Sequence, residues 1–209
     1  MSTVYVIGES HARLYNWRLH TMFLNAVTMH RIGRDGLLQT LQSICLSNNI
    51  VLPKPGDFVL IVCGEVDCRC HIQKQIAQGL DEDVVLQDLS NRYLNALLGF
   101  RNEFQVDIGV RGVVPPLKDG DHQHHDVEYP IRGSDQDRLR WQQKLNALLE
   151  NGCKTYGLLF VPSPVWTAGE DMFMKRDYSD GIIHISDRYS TEATSEFLAL
   201  LNEFRPRIN

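Results

Sequence analysis

The stretch Val4-Tyr5-Val6-Ile7-Gly8-Glu9-Ser10-His11 decides the fold of this chain. Its first four residues are apolar without alternation, which is typical of a strand buried on both faces of a parallel sheet. The run ends in a glycine, an acid, a serine and a histidine. Open α/β sheets bind their ligands at the carboxyl ends of such strands. Ser10 is therefore a candidate nucleophile, and the alternative is that it only caps the helix that follows.

Strand-like and helix-like segments alternate along the rest of the chain. Apolar runs predict five strands, at residues 3–8, 26–32, 57–64, 106–114 and 155–161. Leucines recur at helical spacing near residues 37–44, 83–101, 139–149 and 190–204. This alternation predicts a parallel sheet with right-handed crossovers. We expect a single domain over residues 1–209, an α/β fold built as a three-layer α/β/α sandwich around a flavodoxin-like five-stranded parallel sheet.

The composition argues against several classes of partner. Apolar residues make up 43% of the 209 residues and charged residues 22%, which is ordinary for a globular domain. The net charge of −5 argues against a nucleic-acid partner, because binding the phosphate backbone needs a basic protein surface. No apolar run reaches the roughly 18 residues of a membrane helix, and no secretory signal precedes the first strand. We expect neither a nucleic-acid partner nor a membrane span, and the pattern leaves the oligomeric state open.

Cysteine and histidine usage predicts neither disulfides nor a metal. The five cysteines are odd in number and lack paired spacing, which favours a reducing compartment such as the cytoplasm. The Cys68-Arg69-Cys70-His71 run has metal-binding residue types, but no second cluster completes it. The polar segment 118–137 is rich in histidine and aspartate, and a solvated loop explains it more simply.

A second histidine lies far along the chain and is a candidate base for Ser10. His184 follows Asp180 in the loop after the last predicted strand. A serine hydroxyl is a weak nucleophile that needs a hydrogen-bonded base, and the base needs an acid to orient it. Ser10, His184 and Asp180 supply those three roles. Alternatively, Asp180-Gly181 is an ordinary turn and His184 is a surface residue.

Four short blocks of the chain resemble the SGNH hydrolase superfamily, the GDSL-type esterases. Gly8-Glu9-Ser10 is similar to the first block, Gly-Asp-Ser, and the segment from Gly33 to Gly36 resembles the second. Gly64-Glu65-Val66-Asp67 is similar to the third, Gly-x-Asn-Asp, and Asp180 to His184 resembles the last, Asp-x-x-His. The order spans nearly the whole chain. The GESHA, GEVDCR and YPIRGSDQDR segments are similar to a bacterial subgroup of this superfamily.

The resemblance implies a role for each block. Ser10 would be the nucleophile, His184 the base and Asp180 the acid that orients it. The N–H groups of Ser10 and of Gly33 or Gly36 would hold the oxyanion. Asp180 and His184 are four residues apart where the family has three, so the loop must bulge for the carboxylate to reach the imidazole.

The third block departs from the family at its oxyanion donor. The family's asparagine is Val66 here, whose side chain cannot donate. Arg69 can supply a charged donor instead, and we expect its side chain beside Ser10. Glu65 or Asp67 can hold that arginine, or these charges form only a structural network. Trp166 follows the last strand and either stacks on a sugar ring or packs as a wedge against the loop.

The residues and the resemblance together predict a serine esterase. It would remove a small acyl group, such as acetyl, from a carbohydrate-like hydroxylated substrate through an acyl-Ser10 intermediate, without a cofactor. Two alternatives stay open. One is a sugar O-acyltransferase that uses the same site, and the other is a non-catalytic domain that binds a carbohydrate or a partner.

Overall fold

A computed structural model describes residues 2–15, 19–24, 27–44, 52–123 and 127–205. Its five strands are β1 (Val4–Gly8), β2 (His20–Phe23), β3 (Phe58–Val62), β4 (Asp107–Arg111) and β5 (Leu159–Val161). Its α-helices are α1 (Met29–Asp35), α2 (Leu37–Ile44), α3 (Ile72–Ile76), α4 (Glu82–Phe104), α5 (Asp135–Tyr156) and α6 (Ser190–Phe204). A π-helical turn at Asp67–His71 precedes α3, and short 3-10 helices occupy Ser10–Tyr15, Val165–Thr167, Arg176–Tyr178 and Asp187–Tyr189.

The five strands form one parallel sheet in the order β2-β1-β3-β4-β5. That order is flavodoxin-like, and the predicted fold class is confirmed. β1 and β3 lie side by side, with Ile7 opposite Ile61 and Gly8 opposite Val62. Their carboxyl ends therefore reach the same sheet edge, which is where Ser10 follows β1.

Alternate residues of each central strand face two separate hydrophobic layers. Tyr5 and Ile7 of β1 pack in the layer that contains α1, α2, α4 and α5. Val6, between them, packs with Phe197 of α6 in the other layer. Both faces are therefore dry, which explains why the strands are apolar throughout rather than alternating. No helix in the described part of the chain has both the length and the apolar character needed to cross a membrane.

The prediction of a strand at 26–32 is wrong. Within the described residues of that segment, Met29 begins helix α1, and the second strand is the earlier β2. Met29 and Ile32 are three residues apart and fully buried, so their apolar character marks one face of a helix. The predicted strand at 155–161 is also too long, because α5 continues to Tyr156. The four predicted helical segments are confirmed as α2, α4, α5 and α6.

Candidate active site

Ser10 stands immediately beyond the end of β1. The Glu9 N–H donates to the Val62 carbonyl at 3.0 Å, which carries the pairing of β1 and β3 one residue past the strand. A side chain at Gly8 would come within 2.0 Å of that same carbonyl oxygen, so only glycine allows this close approach. Ser10 then begins the 3-10 helix Ser10–Tyr15. The strand and the helix together fix the serine at the sheet edge.

The structure brings Ser10, His184 and Asp180 into one hydrogen-bonded chain. Ser10 Oγ lies 2.7 Å from His184 Nε2, and His184 Nδ1 lies 2.7 Å from Asp180 Oδ2. The ionised carboxylate can only accept, so Nδ1 carries the proton in neutral His184. Nε2 then has a free lone pair and accepts from the serine hydroxyl. This is the arrangement that lets an imidazole remove the serine proton.

The four-residue spacing between Asp180 and His184 fits a closed turn. The Asp180 N–H donates to the His184 carbonyl at 2.9 Å, and Ser179 pairs with Ile185 in an antiparallel bridge. Asp180 Oδ1 accepts the N–H groups of Ile182 at 2.8 Å and His184 at 3.1 Å. One carboxylate oxygen therefore shapes the loop while the other reaches the imidazole.

The surroundings favour a neutral His184 beside an ionised Asp180. Burial lowers the pKa of the His184 imidazole, and the charge of His11 lowers it further, against the opposing effect of Asp180. Burial alone would raise the pKa of the Asp180 carboxyl. The hydrogen bonds from His184 and Ile182 outweigh that effect, so the pKa of Asp180 lies below its ordinary value.

Gly33 and Gly36 do not follow a strand, because helix α1 occupies Met29–Asp35. That either N–H holds an oxyanion stays a prediction. Gly33 lies inside helix α1, and a side chain there would meet Arg92 and Tyr93 of α4 at 3.0–3.1 Å. Gly36 ends the helix, and its N–H donates to the Ile32 carbonyl at 2.8 Å. These glycines allow helix packing and helix termination. The backbone donor of Gly36 is thus already used within its own helix.

Arg69 and Glu65 form an internal ion pair. Arg69 Nε donates to Glu65 Oε1 at 2.7 Å, and a terminal nitrogen of the same guanidinium donates to the Tyr129 carbonyl. The Arg69 side chain is buried. The pairing of Arg69 with Glu65 agrees with the expectation that an acid of the third block holds the arginine. That Arg69 acts on an oxyanion stays a prediction.

Asp67 completes the amino-terminal end of a helix that lies earlier in the chain. It is fully buried, and its carboxylate accepts the N–H of Met29 at 2.7 Å and of His30 at 3.2 Å. These are two of the donors that a helix leaves unpaired in its first turn. Asp67 is therefore bonded to the backbone of α1 rather than to Arg69. Val66, next to it, is buried.

Trp166 packs as a wedge among other side chains. Its ring lies 5.4 Å from that of Tyr178 and 5.5 Å from that of Tyr189, and its Nε1 donates to Glu196 at 3.1 Å. Of the two alternatives for Trp166, these contacts favour packing against the loop over sugar stacking.

The residues with metal-binding chemistry do not come together in the described part of the chain. There, no group of three or more histidines, cysteines or acids is placed to hold a metal ion. His124, His125 and Asp126 of the polar loop, as well as Cys45, lie outside the described residues. Cys63, Cys68, Cys70 and Cys153 are buried free thiols. Burial raises the pKa of Cys63 and Cys68 well above the ordinary value, which leaves them poor nucleophiles.

Two residues beside Ser10 lie outside the predicted triad: the sequence favours a structural or substrate-contacting role for His11 over catalysis and assigns none to Glu9. Glu9 and His11 flank the serine, and both are buried. Glu9 Oε1 accepts the Glu65 N–H at 3.1 Å, and His11 Nε2 lies 3.3 Å from the Ile183 carbonyl oxygen. The signal that could have found them is their position, because an acid and a histidine directly after a buried strand are costly to bury.

A small cavity lies beside the loop that carries His184. Its volume is about 30 Å³. The side chains around it are mainly apolar, and they include Val114, Pro116 and Ile183, with Glu65 and Arg69 at its polar side. The cavity therefore joins the end of β3 to the loop that carries His184.

Comparison with known proteins gives structural likeness at low sequence identity. No protein-family profile matches the chain, and no curated protein matches it. A Streptococcus pneumonia protein described as a candidate platelet activating factor is 13% identical with a TM-score of 0.64, covering 96% of this chain and 84% of that one. An acetylxylan esterase from Geobacillus stearothermophilus is 10% identical with a TM-score of 0.57, covering 96% and 95%.

A third solved structure names the fold directly. A GDSL-like lipase from Bacteroides thetaiotaomicron is 14% identical with a TM-score of 0.54, covering all of this chain and 89% of that one. At 10–14% identity, these likenesses show the fold alone. The chain therefore has the fold of the SGNH/GDSL-type hydrolase superfamily.

Proposed function

We propose that this protein is a serine esterase of the SGNH type that removes a small acyl group from a hydroxylated, carbohydrate-like substrate. The observation that carries the proposal is the unbroken chain from Ser10 Oγ through His184 to Asp180, with both hydrogen bonds at 2.7 Å. Ser10 and His184 lie 174 residues apart in sequence, and Asp180 lies in the same loop as His184. A hydroxyl, a base and an orienting acid in contact are the parts that nucleophilic acyl transfer needs.

In the first half of the reaction, Ser10 Oγ attacks the ester carbonyl while His184 Nε2 takes its proton. The C=O electron pair moves to oxygen, and Asp180 stabilises the imidazolium that forms. The tetrahedral intermediate collapses, the bond to the leaving alcohol breaks, and His184 returns its proton to that alcohol. In the second half, water repeats the sequence on the acyl-Ser10 ester and frees the carboxylic acid.

The oxyanion formed in each half needs hydrogen-bond donors. Within the described residues, the Ser10 N–H has no acceptor, which leaves it open to a developing oxyanion. Losing one such donor costs about 2.7–4 kcal/mol of transition-state stabilisation in a known serine hydrolase. Arg69 is our candidate for the donor that Val66 cannot supply.

The solved structures of similar fold support a small acyl group on a sugar. Among the solved structures of this fold are an acetylxylan esterase from Geobacillus stearothermophilus and a carbohydrate acetylesterase from Sinorhizobium meliloti. The reaction as written needs no cofactor. The buried thiols support a reducing compartment such as the cytoplasm.

The test is active-site labelling followed by turnover. A fluorophosphonate probe should label the wild type and Ser163→Ala, and should fail to label Ser10→Ala. Ser163 is a matched control because its buried hydroxyl has no partner in the described structure. The wild type should release acetate from acetylated xylo-oligosaccharides. Well-folded protein that neither takes the probe nor releases acetate would refute the esterase and favour a binding domain. Transfer of the acetyl group to an added sugar instead of water would identify the acyltransferase.

A further inference from the structure

A second histidine is buried next to the catalytic one and contacts its loop. His11 is 4% exposed, and its ring centroid lies 5.0 Å from that of His184. Its Nε2 lies 3.3 Å from the Ile183 carbonyl oxygen. A carbonyl oxygen can only accept, so Nε2 is the protonated nitrogen that donates to it. His11 is thus bonded to the backbone one residue before His184.

Glu9 faces the other side of the His11 ring as an ion-pair contact, and His11 Nδ1 has no hydrogen-bond partner within the described residues. Glu9 Oε1 lies 3.5 Å from His11 Nδ1 and also accepts the Glu65 N–H at 3.1 Å. Glu9 is 3% exposed, and its Oε2 has no partner within the described structure. Burying an incompletely bonded carboxyl disfavours folding, so its presence calls for an explanation other than stability.

The loop of His184 is partly exposed. The side chains of His184 and Asp180 are 22% and 31% exposed, and Ile182 between them is 43% exposed. Asp180 fixes the imidazole from the Nδ1 side through bonds inside the loop. The bond from His11 to Ile183 ties the same loop to the 3-10 helix that begins at Ser10. It therefore links the loop that carries His184 to the segment that carries Ser10.

We propose that His11, in contact with Glu9, is a positioning residue that anchors the Ile183 carbonyl and thereby keeps His184 Nε2 in line with Ser10. The proposal rests on the proposed function for its catalytic meaning. His11 does not touch the reacting atoms. It acts through the backbone of the loop, and displacing a catalytic group by about 1 Å can cost 100-fold in rate.

The charges around His11 add a second effect on His184. The groups that face His11 are Glu9 and Glu65 from the two strand ends and His184 from the opposite loop, and Tyr15 and Arg111 line the same cavity of about 10 Å³. Burial lowers the pKa of His11, but the nearby charge of Glu9 outweighs it, so the net pKa is raised. A charged His11 disfavours a proton on His184.

Two substitutions separate the anchor from the charge. His11→Ala removes both, whereas His11→Gln keeps an N–H donor for Ile183 without the charge. We expect His11→Ala to lower kcat about 10–100-fold with KM changed less than about threefold. His11→Gln should recover kcat to within about fivefold of the wild type, with the acid limb of its pH profile moved to higher pH. His20→Gln, on an exposed residue of β2, is the matched control and should change neither.

A proton NMR measurement tests the positioning without relying on turnover. The low-field resonance of the proton between His184 and Asp180 should persist in His11→Gln and broaden or disappear in His11→Ala, at a temperature where both variants are folded. Equal kcat in His11→Ala and wild type, or equal loss in both variants, would overturn the proposal. A resonance unaffected by His11→Ala would overturn it too. An unlabelled, inactive wild type that still shows the expected NMR pattern would instead refute only the proposed function.

Discussion

The Asp180 carboxylate contacts the His184 imidazole at 2.7 Å although three residues separate them in the chain. The same carboxylate accepts two N–H groups of its own loop. The acid therefore holds both the turn and the base. Its two tasks involve different oxygen atoms, Oδ1 for the loop and Oδ2 for the imidazole, so a substitution can separate them.

Asp180→Asn tests that separation. The amide oxygen can still accept from Ile182 and His184 N–H, but the amide NH₂ that faces Nδ1–H cannot accept a hydrogen bond from it. We expect kcat on a short-chain ester to fall about 100- to 10,000-fold, as in other triads that lose this acceptor, with the melting temperature within a few degrees of wild type. Asp180→Ala should lose both activity and loop stability. A kcat for Asp180→Asn within tenfold of wild type would remove Asp180 from the triad.

The pH dependence of activity follows from the environment of His184. A general base works only when it is neutral, so activity falls as pH drops through its pKa. Burial and then His11 lower that pKa, with Asp180 opposing them. We therefore expect the acid limit of kcat/KM below the ordinary imidazole value of about 6.5. The measurement is a pH–rate profile from pH 4.5 to 8 on an uncharged ester. A midpoint above 6.5 would show that the attraction of Asp180 dominates.

Much of the fold follows from apolar runs, and β2 shows why the rest does not. The central strands β1 and β3 are buried on both faces, so their sequences are continuous apolar stretches. β2 has four residues at the sheet edge and begins with an exposed histidine. The next apolar stretch, at 26–32, has the more strand-like pattern. Its described residues are helical because the Thr28 side chain caps α1 and the Asp67 carboxylate accepts the Met29 N–H.

Contacts between residues distant in sequence also limit how much of the site the sequence predicts. Ser10, His184 and Asp180 are placed at strand and loop ends that the chain order indicates, so sequence could bring them together. The predicted oxyanion role of Gly33 relies on a strand at a place where the structure has helix α1. No local pattern reveals that Asp67 bonds to Met29, because that contact is 38 residues away in sequence.

Asp67 should therefore matter for folding more than for substrate binding. Asp67→Ala leaves the N–H groups of Met29 and His30 without their acceptor. A buried donor left without a partner costs about 1–3 kcal/mol. We expect a loss of about 2–3 kcal/mol in the free energy of unfolding, measured by urea denaturation. Asp67→Asn keeps one acceptor oxygen and should lose less. KM should stay within about threefold of wild type in Asp67→Asn, and a tenfold increase would return Asp67 to the substrate site.

Glu82 joins helix α4 to α5 and should give stability that depends on pH. Its carboxylate accepts from Arg140 at 2.7 Å, Trp141 at 2.9 Å and Lys144 at 2.9 Å. The Arg140 bond, with those from Lys144 and Trp141, outweighs burial and lowers the pKa of Glu82 to about 2. Glu82→Gln should lower the free energy of unfolding at pH 7 by about 1–2 kcal/mol, because it removes the charge that these partners bind. The loss is no larger because Arg140 and Lys144 are partly exposed, which weakens their bonds to Glu82.

The sign of the pH effect is fixed by the lowered pKa of Glu82. Its stabilisation is complete above the unfolded value of about 4.3 and is lost as pH falls through about 2. The difference between wild type and Glu82→Gln should therefore shrink between pH 5 and pH 2 in urea titrations. Asp83→Asn is the control, because the Asp83 side chain is 76% exposed and pairs with Lys144 alone. It should change stability by less than about 0.5 kcal/mol, and an equal effect in both variants would contradict a special role for Glu82.

Gly33 and Gly99 offer a matched test of helix packing. An alanine at Gly33 would place its methyl 3.0 Å from Arg92 Cβ and 3.1 Å from the Tyr93 nitrogen, and α4 cannot yield its backbone locally. We expect Gly33→Ala to lower the free energy of unfolding by about 1–2 kcal/mol, since overpacking exceeds the gain of about 1 kcal/mol in helix propensity. Gly99, exposed on α4, has nothing within 4 Å, so Gly99→Ala should be stabilising by about 0.5–1 kcal/mol. Stabilisation by both substitutions would show that α1 and α4 are not in close contact at Gly33.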